Sequence, residues 1–291
     1  MATLDIGLPV YNGEKYLGEA IESLRAQTFG DFTLFISDNG STDRTPDICR
    51  EHAAADGRIR FTRSDVNRGA AWNFNTVFEA GNADFFKWAA HDDLHDPTYV
   101  ERCMDVLRRE PAVVLCYTGA RYIDAEGRSI TGDMSNRCHL RQDRPHQRLR
   151  GYFGTFPSHV LFGVGRRAAL ARTRLWGSFA SADRVLVSEI ALQGQVHEIA
   201  EPLFIRRLHP DISWTMATTD KEYALWYDPA NRDKVPLLRR AVEYVRGVGH
   251  AGLPLPDRLG SYAEVARYAV WDRGFRKLPR YAAKLAARAG R

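Results

Sequence analysis

Apolar and polar positions alternate from the first residues. Leu4, Ile6, Leu8 and Val10 recur with period two over 3–10, the signature of a half-buried strand. That run ends in Pro9-Val10-Tyr11-Asn12-Gly13, where Asn12 is placed to cap the next helix. Tyr16, Leu17, Ala20, Ile21 and Leu24 then share one helical face. A second strand is predicted over 32–37, followed by Ser37-Asp38-Asn39-Gly40-Ser41-Thr42-Asp43, with Thr42 or Asp43 capping a helix that runs to about Ala55. A third strand falls over 59–63, and Asn67-Arg68-Gly69 leads into a helix over 70–80 with Phe74, Val77 and Phe78 on its apolar face. The run over 83–90 (Phe85, Phe86, Trp88, Ala89, Ala90) predicts a buried strand that breaks into His91-Asp92-Asp93, and Asp96-Pro97 starts another helix. This alternation over 3–110 predicts an α/β fold with a mostly parallel central sheet flanked by helices. Ligands of such sheets sit at the carboxyl ends of the strands, where the acid pair is delivered.

Further along, strands are predicted over 113–117, 120–124 and 128–131, the last two joined by the hairpin signal Ala125-Glu126-Gly127. The polar stretch 132–150 reads as a lid loop. A strand over 159–164, helices over 166–172 and 183–193 and a last strand over 201–208 follow. After about Thr218 the texture changes to long helical patterns over 236–248, 259–271 and 279–289, separated by Gly/Pro breaks. The expected division is a domain over 1–215 and a helical C-terminal region over 216–291.

Composition narrows the classes. A 291-residue chain with 44% hydrophobic and 26% charged residues has an ordinary globular balance and length for a large core. Four widely spaced cysteines form no metal-type pair and fit packing roles in a reducing compartment. The N-terminus runs straight into a strand pattern, and no apolar run reaches the ~18 residues of a membrane span, so the expected location is cytoplasmic. The net charge of +5 is uneven: residues 231–291 hold 14 Lys and Arg against 5 Asp and Glu, whereas residues 1–230 hold 27 against 31. Basic character therefore lies away from the strand ends, which argues against a nucleic-acid partner. No G-x-G-x-x-G follows the first strand, so the dinucleotide fingerprint is absent.

Two adjacent acids repel unless a cation lies between them and a ligand. A hard divalent metal does this and bridges to phosphate oxygens. With Pro9-Val10-Tyr11-Asn12, Asp38-Asn39-Gly40-Ser41-Thr42-Asp43, Asn67-Arg68-Gly69 and Asp92-Asp93 followed by Asp96-Pro97, in that order, the chain resembles the family 2 inverting glycosyltransferases of GT-A (nucleotide-diphospho-sugar transferase) fold over roughly residues 3–215. The resemblance implies transfer of a sugar from a UDP- or dTDP-sugar donor to a hydroxyl acceptor, with Mn²⁺ or Mg²⁺, in polysaccharide or glycolipid synthesis. It implies donor contacts from Pro9, Tyr11, Asn12, Asp38, Asn39, Arg68, His91, Asp92 and Arg206. Of these, Pro9 and Tyr11 would wall the base pocket, Asp38 would accept from a pyrimidine ring N–H, and Arg68 would reach base or phosphate. Asp92, Asp93 and His209 would hold the metal, and Asp183, at a helix start, would be the catalytic base. The family's metal motif is usually Asp-x-Asp, and Ala90 stands where the first acid, the usual ribose contact, is expected, with His91 beside it to compensate.

Trp214 is placed to stack on a sugar face, and Trp72, Trp88 and Trp176 read as core or pocket lining. Beyond Asp272 no acid remains, and Arg276, Arg280, Lys284 and Arg288 form a basic stripe at spacing four, suited either to peripheral contact with an anionic membrane or to a solvated helix on the domain. Two rival functions stay open. A sugar nucleotidyltransferase would want a glycine-rich basic loop after the first strand, which is missing. A non-catalytic binding protein on a decayed fold is favoured by Ala90 alone.

Overall fold

The computed structural model describes residues 2–131, 137–155, 159–210, 220–231 and 236–270. Its centre is a nine-stranded sheet. Strands β1 (Leu4–Val10), β2 (Phe32–Asp38), β3 (Ile59–Arg63) and β4 (Phe85–Trp88) pair in parallel in the order β3-β2-β1-β4. Helices α1 (Leu17–Arg25), α2 (Thr45–Ala55) and α3 (Ala70–Glu79) make the crossovers. Every residue of β1 is buried, because helices cover both of its faces. Leu17, Ile21 and Leu24 of α1 join Leu4, Ile6, Leu8, Leu34 and Ile36 in one half of the core. Val77 and Phe78 of α3 join Phe86 and Trp88 in the other.

Beyond β4 the sheet is mixed. β5 (Leu94–His95) leads through Thr98 into α4 (Tyr99–Arg109), and β6 (Val113–Ile123) follows. The two strands expected over 113–124 are this single strand. Gly119 marks a register shift in its pairing, and a Cβ there would lie 2.9 Å from the Ala200 carbonyl oxygen, so the residue that looks like a break is a bulge demanded by close approach. β7 (Ser129–Ile130) returns antiparallel on β6, through Gly127 at φ +82°, as the hairpin signal predicts. β8 (Val164–Arg166) inserts antiparallel between β4 and β6, preceded by a single tight turn over Val160–Phe162 where a strand is expected. β9 (Gln195–Arg207) runs parallel to β6 and antiparallel to β5.

The expected lid is not an open loop where it is described. Cys138 and Leu140 are buried, and α5 (Pro145–Gly154) follows; residues 132–136 lie outside the described set. The stretch looks polar because one of its charges has an internal task. Arg148 is buried and donates to the carbonyls of Ala191 and Leu192, at the end of α7 (Ala182–Gln193), and to those of Gln142 and Asp143. A cation there satisfies helix-end carbonyls and the dipole together. Short α6 (Arg167–Leu170) precedes α7.

Three further helices are α8 (Asp220–Tyr227), which the sequence reading did not anticipate, α9 (Pro236–His250) and α10 (Leu255–Arg267). α9 packs on α7, and α10 on α5. Arg174 ties the α7–α9 contact: its guanidinium meets Glu189 at 2.6 Å and Glu243 at 2.5 Å, both carboxylates being buried. Gly247 lets α9 approach, since a Cβ would stand 2.9 Å from Glu189 Oε1. Among the described residues no helix is long and apolar enough to cross a membrane. Trp214 and the basic stripe beyond Asp272 lie outside the described residues.

Burial opposes the charge of Glu243, but Arg174, Arg239 and Arg246 outweigh it and hold the carboxyl below its ordinary value of 4.5. A depressed carboxylate stabilises the fold above its unfolded pKa and loses that contribution as pH falls through the folded one. Glu243→Gln is therefore expected to lower the melting temperature at pH 7, with the gap to the native chain closing below about pH 4 when melting is followed across pH.

Candidate active site

Three loops at the carboxyl ends of β1, β2 and β3 are laced into one wall. Asn12 adopts φ +49°; its N–H donates to Ser41 Oγ at 2.8 Å and its Oδ1 accepts from the Thr42 N–H at 2.9 Å. Gly13 N–H donates to Thr45 Oγ1, Glu14 N–H to Asp43 Oδ2, and Arg44 N–H to Glu14 Oε2. Asn39 donates to Asn67 Oδ1 and the Gly69 carbonyl, and accepts from the Arg68 N–H. Short side chains of the Asn, Asp, Ser and Thr kind suit this work because they hydrogen-bond nearby backbone. Asn12 is thus a loop clasp and not a helix cap; α1 begins at Leu17, after Tyr16.

Below this wall opens a cavity of about 1000 Å³. Pro9, Tyr11, Asn12, Asn39, His91, Asp92, Asp93, Asp183, Arg206 and His209 all line it, so the structure brings these sequence-selected residues together. Tyr11 is 42% exposed, a free aromatic face at the rim.

Asp38 and Arg68 are not among the lining residues. Asp38 is fully buried; its Oδ1 accepts from the Ser41 N–H at 2.9 Å and its Oδ2 faces Arg63 Nε at 3.1 Å. Oδ2 makes no hydrogen bond among the described residues, so this buried oxygen keeps acceptor capacity beside the cavity wall formed by Asn39. The Arg68 guanidinium lies over the Trp72 ring at 4.9 Å.

The acidic turn Ala89–Asp93 lies at the end of β4, between the first strands and the end of β9. Asp92 Oδ2 is 3.0 Å from His209 Nε2. Burial disfavours its charge, but His91 and His209 prevail and hold its carboxyl below the usual range. Asp93 behaves oppositely: burial, with the Asp92 charge beside it, raises it to about 8. Its Oδ1 accepts the Arg207 N–H at 2.9 Å. The Arg207 guanidinium is sealed inside, donating to the Asp92 carbonyl at 3.2 Å and to Glu19 at 2.7 Å, and lying 4.5 Å from the Tyr16 ring centre. Lys87, hidden in the apolar run of β4, is fully buried; it donates to the Trp88 and Phe162 carbonyls, and burial pulls its ammonium down to about 7.

Whether these groups fit a divalent ion is decided by the donor set. Asp92 and His209 offer a carboxylate and an imidazole at one point, a pairing that suits Mn²⁺ or Mg²⁺ when diphosphate oxygens and water complete the shell. His209 Nδ1 and the Tyr16 hydroxyl beside it are buried without a hydrogen-bond partner among the described residues. Among the described residues no three of His, Cys, Asp and Glu converge on one ion, and Asp93 is turned to the β9 backbone. Of the three expected ligands, Asp92 and His209 meet at one point, while Asp93 lines the same cavity with its Oδ1 on the Arg207 N–H.

On the opposite wall Asp183 is the second residue of α7, whose cap Ser181 adopts φ +66°. Its Oδ1 accepts from the Tyr227 hydroxyl at 3.0 Å. Glu189, further along the same helix, is committed to Arg174. Sequence reading missed Tyr227 because it lies beyond the expected domain boundary. It also missed the buried use of Arg207. The only signal for it was its place in the Arg206-Arg207-Leu208-His209 run.

Residues 5–173 match the sequence family described as Glycosyl transferase family 2. The match ends before Asp183, Arg207 and His209. Chondroitin synthase of Escherichia coli is 36% identical over 128 residues, covering 44% of this chain and 18% of the relative's length. Among solved structures, S. aureus TarS 1–349 in complex with UDP superposes with a TM-score of 0.58 at 14% identity, covering 94% of this chain and 91% of that one. The mannosyltransferase PcManGT of Pyrobaculum calidifontis in complex with GDP-Man and Mn²⁺ gives 0.57 at 18% identity, covering 99% and 75%. At these identities the superpositions establish the GT-A-like fold.

Arg207→Lys keeps the charge but not the forked donors that serve Glu19 and the Asp92 carbonyl together. It is expected to lower the unfolding free energy by about 1–3 kcal/mol, the cost of leaving buried acceptors without their donors, measured by denaturant titration. Gly13→Ala would set a Cβ 2.8 Å from His91 Cδ2 and 2.6 Å from Val10 Cγ2, and is expected to destabilise by about 1–3 kcal/mol through overpacking.

Proposed function

The chain belongs to glycosyl transferase family 2, and on that premise we propose that this glycosyltransferase is metal-dependent and inverting, moving a sugar from a nucleotide-diphosphate donor to a hydroxyl of a glycan or lipid-linked glycan. The observation that carries the reading is one cavity lined by the Asp92–His209 pair on one wall and by Asp183 on the other. A UDP-sugar is the first donor assigned and a dTDP-sugar the second. The complexes of TarS with UDP and of PcManGT with GDP-Man and Mn²⁺ support a nucleotide donor and a divalent ion. The chondroitin synthase relative favours a polysaccharide setting.

In this reading Tyr11 and Pro9 receive the base, with the nucleotide resting on the laced wall. Asp92 and His209 would hold Mn²⁺ or Mg²⁺, which would supply charge neutralisation for the departing diphosphate. Arg206 adds a fixed positive charge beside it. Asp183 accepts the proton of the acceptor hydroxyl as that oxygen bonds to the anomeric carbon. The bond from the anomeric carbon to the diphosphate breaks in the same displacement, and the nucleoside diphosphate leaves with that electron pair. A single displacement from the opposite face inverts the anomeric centre.

A thermal-shift panel of UDP-, dTDP- and GDP-sugars, each with and without MnCl₂, tests this. One donor is expected to raise the melting temperature only with metal, because ligand at about 100 times its Kd adds about 2.7 kcal/mol of stability. Asp92→Ala is expected to abolish the metal-dependent increment. A shift indifferent to metal and to Asp92 would remove the metal from the mechanism, and no shift with any nucleotide sugar would remove the function.

A further inference from the structure

The strongest unassigned contact in the cavity joins Asp183 to a part of the chain far beyond the region matched to the family. Tyr227 is the last residue of α8, 1% exposed, and its hydroxyl donates to Asp183 Oδ1 at 3.0 Å. We propose that Tyr227 is a positioning residue for the Asp183 carboxylate, fixing Oδ1 so that Oδ2 alone meets the acceptor hydroxyl. The inference rests on the assignment of Asp183 as base and deepens it.

Two features make Tyr227 a fixed point. Gly69, at φ +87°, abuts α8 so closely that a Cβ would stand 2.5 Å from the Tyr227 carbonyl oxygen and 2.8 Å from Pro229 Cδ. The same Gly69 carbonyl accepts from Asn39, so α8 rests against the laced donor wall while its tyrosine reaches the opposite wall. The start of α7 is pinned as well, because Arg240 of α9 donates to Ser181 Oγ at 2.8 Å, holding the left-handed residue two positions before Asp183. A carboxylate on a flexible side chain has two equivalent oxygens and free rotation about its second torsion. A neutral O–H held on one oxygen removes that freedom. The C-terminal helices therefore complete the acceptor half of the site.

The test uses the full chain and the donor selected by the thermal-shift panel, with release of nucleoside diphosphate measured from pH 5 to 9 and water as acceptor. Tyr227→Phe keeps the ring and its packing. It is expected to lower kcat about 10- to 100-fold, the worth of one hydrogen bond to a charged group, with donor KM within about twofold. The loss is expected in kcat alone, with the melting temperature and the donor-induced thermal shift at their native values. Asp183→Asn runs alongside and is expected to be inactive while still binding donor. An inactive Asp183→Asn beside a Tyr227→Phe of native kcat would overturn the inference and leave the base assignment standing. A Tyr227→Phe that loses rate together with melting temperature and donor affinity would reduce the residue to a structural part, also overturning it. Full activity in Asp183→Asn would overturn the base and this inference together.

Discussion

A guanidinium sealed beneath the acidic turn is the constraint on which the cavity depends. Arg207 is 2% exposed, yet it makes contacts in three directions: to Glu19 on α1, to the Asp92 carbonyl and to the Tyr16 ring. Its own N–H holds Asp93. Burying a charge is costly unless every donor finds a partner, so these contacts stand or fall together. The result is a turn whose two acids have different fates. Both line the cavity, but Asp93 is held through Oδ1 by the β9 backbone, whereas Asp92 meets His209. Adjacent identical side chains thereby acquire opposite environments and opposite shifts.

The upper wall follows a different logic. Asn12, Asn39, Ser41, Thr42 and Asp43 have side chains or backbone amides engaged with neighbouring loops. Loops at strand ends carry unsatisfied backbone groups, and mutual side-chain bonds make them rigid without a helix or strand. A wall fixed in this way is preorganised, and any ligand resting on it meets a surface that need not reorganise.

The legible part of the sequence was the part with clean periodicity. The alternation through residue 110 predicted β1 to β4, the three crossover helices and α4 to within a few residues. It also placed Asp92 at a strand end, where the cavity opens. The later half was harder for stated physical reasons. β8 is three residues long and joins the sheet between strands distant in sequence. α5 was hidden because Arg148 reads as solvated although it caps α7 internally. Lys87 was overlooked within an apolar run, although its neighbours are all buried. Asp38 shows what a motif position leaves unsaid: its depth, with Oδ1 on the Ser41 N–H and Oδ2 facing Arg63, is set by the turn and not by the pattern. Tyr227 lay past a boundary drawn from texture, and texture carries no information about which distant residue will touch Asp183.

The separation of partners along the chain also dictates an order of assembly. Asp92 meets a histidine 117 positions later, and Glu19 meets an arginine 188 positions later. The amino-terminal strands are local enough to pair early, whereas contacts spanning such distances close late. During synthesis the acids of the turn must therefore wait, without their counter-charges, until nearly three-quarters of the polypeptide has emerged. The pocket is a finishing step of folding, and an incompletely made chain has the sheet's first half but no site.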